Sequence, residues 1–181
     1  MTNIEIEFKN PIDKATYEML IKKYQLDNNI FLQTNYYFDS SDQKLTQRGI
    51  VLRIRYKEPN RYKITRKSKT KQGYLEEHVI LNQEKASNMI ENGFNLKSFF
   101  EDDIDVIFHG KLENYRVSMP YKDGELFLDK IIYFDKVDYE LEYEVDSYQQ
   151  GKKDFNYFLK QHQITPTPAI RKSTRIFKHK T

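Results

Sequence analysis

Residues rich in Ile, Tyr, Phe and Val alternate with polar or charged ones around 4–9, 31–38, 50–57, 62–67, 74–80, 112–119, 126–133 and 137–145. A period of two marks strands with one face buried. Helical spacing replaces it at about 12–25 after Asn10-Pro11, at about 83–92 closed by Gly93, and at about 152–161. Turn residues at Lys71-Gln72-Gly73, Lys122-Asp123-Gly124 and Asp135-Lys136 join consecutive strands as hairpins, so the pattern predicts an α+β chain dominated by antiparallel sheet. Only Thr165-Pro166-Thr167-Pro168 reads as a linker, and it is short. No internal repeat appears, so one domain over residues 1–181 is expected.

The polar side of several strands carries full charges in place of the usual Ser, Thr and Gln. Ile4, Ile6 and Phe8 share one side of the first strand, and Glu5, Glu7 and Lys9 share the other. Arg53, Arg55 and Lys57 oppose Leu52, Ile54 and Tyr56. Lys63 and Lys67 oppose Tyr62 and Ile64, and Glu140, Glu142 and Glu144 line one face of the strand near 139–145. Hairpin arithmetic brings more charges to that side. A turn at Asp135-Lys136 sets Asp129 opposite Glu142. A turn over Lys122 to Glu125 sets Ser118 opposite Asp129, with Arg116 on the same face. A loop from Ser68 to Gly73 sets Glu76 opposite Thr65, beside Lys63.

Two architectures accommodate such a sheet. An open sheet packs its apolar face on the helices and leaves the ionic face in water. A sheet curled on itself turns the ionic face into a tunnel, which must then be wet and filled by a compensating ligand. Periodicity alone leaves both open. Composition narrows the partners: 30 basic against 27 acidic residues give a formal charge of +3, too balanced for a generic nucleic-acid or membrane-surface binder. With no cysteine there are no disulfides or thiolate metal sites, and with no basic start or apolar stretch at the N-terminus a cytoplasmic location is expected. The four histidines show no ligand spacing, and no Gly-rich phosphate loop is present.

In order along the chain stand Glu5-x-Glu7-x-Lys9, Tyr36-Tyr37-Phe38-Asp39, Gly49 followed by Leu52-Arg53-Ile54-Arg55, Ile64-Thr65-Arg66-Lys67, Gly73-Tyr74-Leu75-Glu76, Gly110 to Arg116, Leu128-Asp129 and Glu140-Leu141-Glu142-Tyr143-Glu144. This series resembles the CYTH family, the triphosphate tunnel metalloenzymes, over nearly the whole length. The resemblance implies an eight-stranded antiparallel β-barrel, a tunnel with a charged lumen and helices packed outside. Two departures stand out. Arg66 occupies an apolar-side position where leucine is usual and is expected to snorkel outward. The last acidic strand offers three glutamates where a metal site would use two.

The resemblance further implies roles. Carboxylates are hard ligands for Mg²⁺ or Mn²⁺, so Glu5 and Glu7 with Glu142 and Glu144, and Glu140 not excluded, form the expected metal site. Lys9, Arg53, Arg55, Lys63, Lys67 and Arg116 are expected on the phosphates, with Lys172 of the Arg171-Lys172-Ser173-Thr174-Arg175 run as a further candidate. Glu76 and Asp129 are expected to orient water or basic side chains, a role the sequence does not separate from metal binding. The partner is a triphosphate-containing small molecule, not a nucleic acid or a membrane. The implied activity is metal-dependent hydrolysis of inorganic, nucleoside or thiamine triphosphate. Adenylate cyclase chemistry and binding without turnover are the alternatives.

Overall fold

The strictest alternation in the chain, residues 50–57, is a single strand from end to end in the computed structural model, which describes residues 2–70 and 74–178, with side chains from Ile6 onward. In chain order the elements are β1 (Thr2–Ile12), α1 (Lys14–Lys23), β2 (Phe31–Asp39), α2 (Lys44–Gln47), β3 (Ile50–Lys57), β4 (Arg61–Lys69), β5 (Tyr74–Leu81), α3 (Gln83–Asn92), β6 (Phe94–Asn95), β7 (Asp105–Tyr121), β8 (Gly124–Tyr133), β9 (Lys136–Val145), α4 (Tyr148–Gln161) and α5 (Lys172–Phe177). The class is α+β, and every described strand pairing is antiparallel. The turn expected at Lys71-Gln72-Gly73 lies outside the described residues. No helix among the described residues is long and apolar enough to cross a membrane.

Contacts divide the chain into two compact units. The first comprises residues 1–4, 33–112 and 171–181. In it β5, β4, β3 and β2 are neighbours in that order, β2 also pairs with β7, and β7 pairs with β6. Its core gathers Phe38, Leu52, Ile54 and Ile64 from the strands with Ala86 and Met89 from α3. α3 starts where Asn82 Oδ1 accepts from the Lys85 amide at 2.8 Å, and ends at Gly93, whose φ of 72° suits a residue without a side chain. Arg66, expected to snorkel, is instead held by two carboxylates: its Nε donates to Asp102 at 2.9 Å and its Nη1 to Glu77 at 2.8 Å.

The second unit comprises residues 5–32 and 113–170, with strand order β1, β9, β8, β7. Leu20 and Ile21 of α1 and Phe155, Phe158 and Leu159 of α4 pack on Val117, Leu126, Leu128 and Leu141. Gly151 permits this approach: a Cβ there would stand 2.5 Å from Val145 and 2.9 Å from Phe8. The Thr165 to Pro168 stretch is tied down by Asn10, whose amide donates to Thr165 O at 3.2 Å and accepts from the Thr167 amide at 2.7 Å. α4 begins at Tyr148, four residues before its predicted start.

The three hairpins differ from their expected registers by two residues each. Tyr133 pairs with Lys136, which sets Asp129 opposite Glu140 and not Glu142. Tyr121 pairs with Gly124, which sets Arg116 itself opposite Asp129. Lys69 pairs with Tyr74, which sets Glu76 opposite Lys67 and not Thr65. The first turn keeps its two residues but moves back by one, to Phe134-Asp135, and the second shortens from four residues to two, with Phe134 and Lys122 taking positive φ, 50° and 51°. Gly124 lies in β8, not in the turn, and a Cβ on it would stand 2.4 Å from Glu144 O, so the close approach of β9 requires glycine there. A shift of two keeps every side chain on its face, so the charged faces stand as the alternation predicts.

Candidate metal centre and anion-binding face

In the second unit, strand pairing assembles a carboxylate cluster. β1 and β9 place Glu7 opposite Glu144 and Lys9 opposite Glu142. β8 adds Asp129 opposite Glu140, and β7 adds Arg116 opposite Asp129. Lys9 Nζ lies 3.1 Å from Glu7 and 3.0 Å from Glu142. Burial pulls its ammonium towards neutrality, but Glu142, Glu7 and Glu140 outweigh that and hold it above the ordinary lysine range.

Arg116 was expected on phosphate, yet its guanidinium is committed to carboxylates. Nε and Nη2 each donate to one oxygen of Asp129 at 2.7 Å, Nη2 also pairs with Glu142, and Nη1 lies 3.8 Å from Glu144. The desolvation that would discharge it is outweighed by Asp129 and Glu142, and its pKa is raised well above normal. Asp129 thus accepts two hydrogen bonds from Arg116.

Two triads have carboxylate oxygens all within 4.8 Å of one another: Glu7, Glu142 and Glu144, and Asp129, Glu140 and Glu142. They are not equivalent. In the second, Asp129 and Glu140 are fully buried and Arg116 already closes on Asp129. In the first, the Glu7 and Glu144 side chains keep 14% and 32% of their exposure, so an ion arriving from water reaches them. Among the described residues, five carboxylates, Glu7, Asp129, Glu140, Glu142 and Glu144, stand around Arg116 and Lys9, a formal excess of three negative charges. A hard divalent cation suits that all-oxygen set and its surplus charge. The Glu5 side chain lies outside the described residues.

The first unit carries the opposite balance. Arg53 and Arg55 on β3 lie opposite Thr65 and Lys63 on β4, and Lys67 lies opposite Glu76 on β5. Glu76 pairs with Lys67 at 3.1 Å and Lys63 at 3.7 Å. Burial would raise its carboxyl, but Lys67, Arg53 and Lys63 together bring it down to about 2. Lys63 moves the other way: burial lowers its pKa, with Arg55 and Arg53 adding to the effect and Glu76 opposing it. Within this cluster of described residues, Arg53, Arg55, Lys63 and Lys67 against Glu76 leave a formal excess of three positive charges.

Sequence reasoning missed the buried neutral residues interleaved with these charges. Asn35, opposite Arg55, is 1% exposed and accepts from Arg55 Nε at 3.0 Å. Gln33 and Thr65 are also buried on this face, and Gln33 Oε1, Thr65 Oγ1 and Arg53 Nε have no hydrogen-bond partner among the described residues. The signal was available, since the period of two in β2 puts Gln33 and Asn35 on one side. Lys172 is buried at the start of α5. Two histidines make structural contacts: His162 Nδ1 contacts Phe158 O at 2.9 Å and Nε2 contacts Tyr24 Oη at 2.9 Å, while His109 Nε2 lies 3.2 Å from both Asp39 O and Ser40 O. His179 lies outside the described residues.

Comparison with known proteins gives a consistent result. The CYTH domain matches residues 3–177. The "Putative triphosphatase YjbK" of Bacillus subtilis is 31% identical over 183 residues, covering 98% of this chain and 96% of its own. Among solved structures, a crystal structure described as a "putative adenylate cyclase" from Bacillus halodurans aligns with a TM-score of 0.87 at 28% identity, over 97% of this chain and 98% of that one. A "putative adenylyl cyclase" from Hippeastrum, described as revealing a dominant triphosphatase activity, aligns with a TM-score of 0.79 at 21% identity, over 98% of this chain and 97% of that one. At that identity the second likeness speaks to fold alone.

Proposed function

Because this chain belongs to the CYTH domain family, we propose that it is a divalent-metal-dependent phosphohydrolase acting on a triphosphate, with inorganic triphosphate ahead of nucleoside and thiamine triphosphates. The observation that carries the reading is a pair of opposite charge surpluses in one chain: a carboxylate cluster suited to a hard cation, and a basic face whose buried Arg53 Nε, without a partner among the described residues, suits phosphate oxygens. The triphosphatase name of the Bacillus subtilis relative supports the same reaction class.

In this reading Glu7, Glu142 and Glu144 hold the cation, with Glu5 as a further ligand from β1. A divalent ion there supplies charge neutralisation at the phosphoryl oxygens and a polarised water. Arg53, Arg55, Lys63 and Lys67 clamp the phosphates, the arginines through paired N–H donors. Glu76 holds Lys63 and Lys67 in place between binding events. Arg116 and Asp129 brace Glu142, and Lys9 sits between Glu7 and Glu142 where it screens their repulsion. Lys172 supplies one more cation from α5. No protein nucleophile is required, because water is the acceptor.

A cyclase reading is the alternative, favoured by the description of the Bacillus halodurans structure. Product analysis separates the two. Purified protein with Mg²⁺ or Mn²⁺ is expected to release phosphate from inorganic triphosphate and to form no cyclic nucleotide from ATP. Cyclic nucleotide with pyrophosphate as the main products would replace the hydrolase by the cyclase. Binding of triphosphate with no product from either substrate would leave a binding module.

A further inference from the structure

The charged face of the first unit includes two tyrosines among its cations. Tyr37 lies opposite Arg53, so its ring is on the Arg53 side of the sheet. Tyr74 lies opposite Lys69, two residues along from Lys67, and shares that same side. The two rings stand on β2 and β5, with β3 and β4 and their basic row between them.

Both rings are taken by the same short segment. Phe177, at the end of α5, meets the Tyr37 ring edge-on at a centroid distance of 6.3 Å and also contacts His109 at 5.4 Å. Arg171, just before α5, sets its guanidinium 4.8 Å from the Tyr74 ring centre and donates to the Tyr74 hydroxyl. Tyr37 is left only 1% exposed. Between these anchors Lys172, Ser173 and Ile176 are buried, so α5 is packed down along its length.

We propose that α5 is a selectivity strap, in which Phe177 and Arg171 cover the Tyr37 and Tyr74 rings and so deny a nucleobase its stacking surface on the basic face. The inference rests on the triphosphate reading above and deepens it. A base binds a protein chiefly by stacking on rings, since every base has a π face, whereas phosphate oxygens need only N–H and O–H donors. With both tyrosines covered, Arg53, Arg55, Lys63, Lys67 and Thr65 remain to recognise phosphate. The face therefore favours a substrate that is all phosphate over one that carries a nucleoside.

Equilibrium titration of the full chain in metal-free buffer, with inorganic triphosphate and with ATP, reads this preference without turnover. Wild type is expected to bind triphosphate more tightly than ATP. Phe177→Ala combined with Arg171→Gln is expected to raise ATP affinity relative to triphosphate by roughly tenfold, the size of one gained base stack. Arg171→Gln alone, at an exposed position, retains the fold and is expected to shift the ratio in the same direction. Phe177→Ala alone changes no charge, so a shift of the ratio in that variant reports uncovered stacking surface, and no shift in it would overturn the strap. An unchanged ratio with triphosphate binding intact would overturn the strap and leave the triphosphate reading standing. Wild type binding ATP as tightly as triphosphate would also overturn it. Wild type binding neither would overturn the strap, while the metal-dependent triphosphate reading is tested separately by phosphate release in Mn²⁺.

Discussion

Arg116 and Arg53 have the same side chain in opposite circumstances. Arg116 makes two parallel hydrogen bonds to Asp129, a carboxylate with no exposure at all. Arg116→Ala leaves that charge buried and uncompensated, so a loss of about 3–5 kcal/mol is expected, measured as a lower urea midpoint. Arg53 has a buried Nε without a partner among the described residues. Arg53→Ala is expected to hold stability within about 1 kcal/mol of wild type while weakening the rise in melting temperature that triphosphate produces. Glu76 gives a pH signature. Its carboxyl falls from 4.5 to about 2 in the folded chain, so its contribution is present in full above pH 4.5 and is lost as pH falls towards 2. Glu76→Gln is expected to cost on the order of 3 kcal/mol at neutral pH, with the variant and wild-type unfolding curves converging in acid. Curves that stay equally far apart at low pH would contradict this.

At the scale of elements, helix α4 reaches β9 and β1 only because position 151 has no side chain. Gly151→Ala would place a Cβ 2.5 Å from Val145 and 2.9 Å from Phe8, and a loss of about 1–3 kcal/mol is expected in denaturant unfolding. The element scale is also where the sequence is read most and least well. Alternation located the eight long strands, because a face of Leu52, Ile54 and Ile64 buried against α3 leaves no freedom of parity. It did not fix register. Turn composition pointed to Gly124 and Lys136 as turn residues, whereas both are in strands and the turns use left-handed Lys122 and Phe134. α2 and α5, four and six residues long, are too short for a period of 3.6 to declare itself, and β6 has two residues. In the candidate site the charged positions were legible, since full charges at period two are conspicuous. The commitment of Arg116 to Asp129 was not, because it depends on a register two residues from the expected one. Gln33 and Asn35 were passed over because neutral polar residues on a strand ordinarily face water.

Across the whole molecule, family membership and fold follow from agreement over nearly the entire chain, while the chemistry rests on two within-unit clusters of opposite surplus. Metal and triphosphate are each expected to raise the melting temperature, since each relieves a concentration of like charge in the folded state. The central claim is that the Glu7 cluster holds the cation on which triphosphate cleavage depends. It is tested most directly by the rate of phosphate release from inorganic triphosphate in Mn²⁺, wild type against Glu7→Ala, with folding of both verified by their unfolding curves. A fall of about 100-fold or more in the folded variant is predicted. Equal rates in the two proteins would contradict the account.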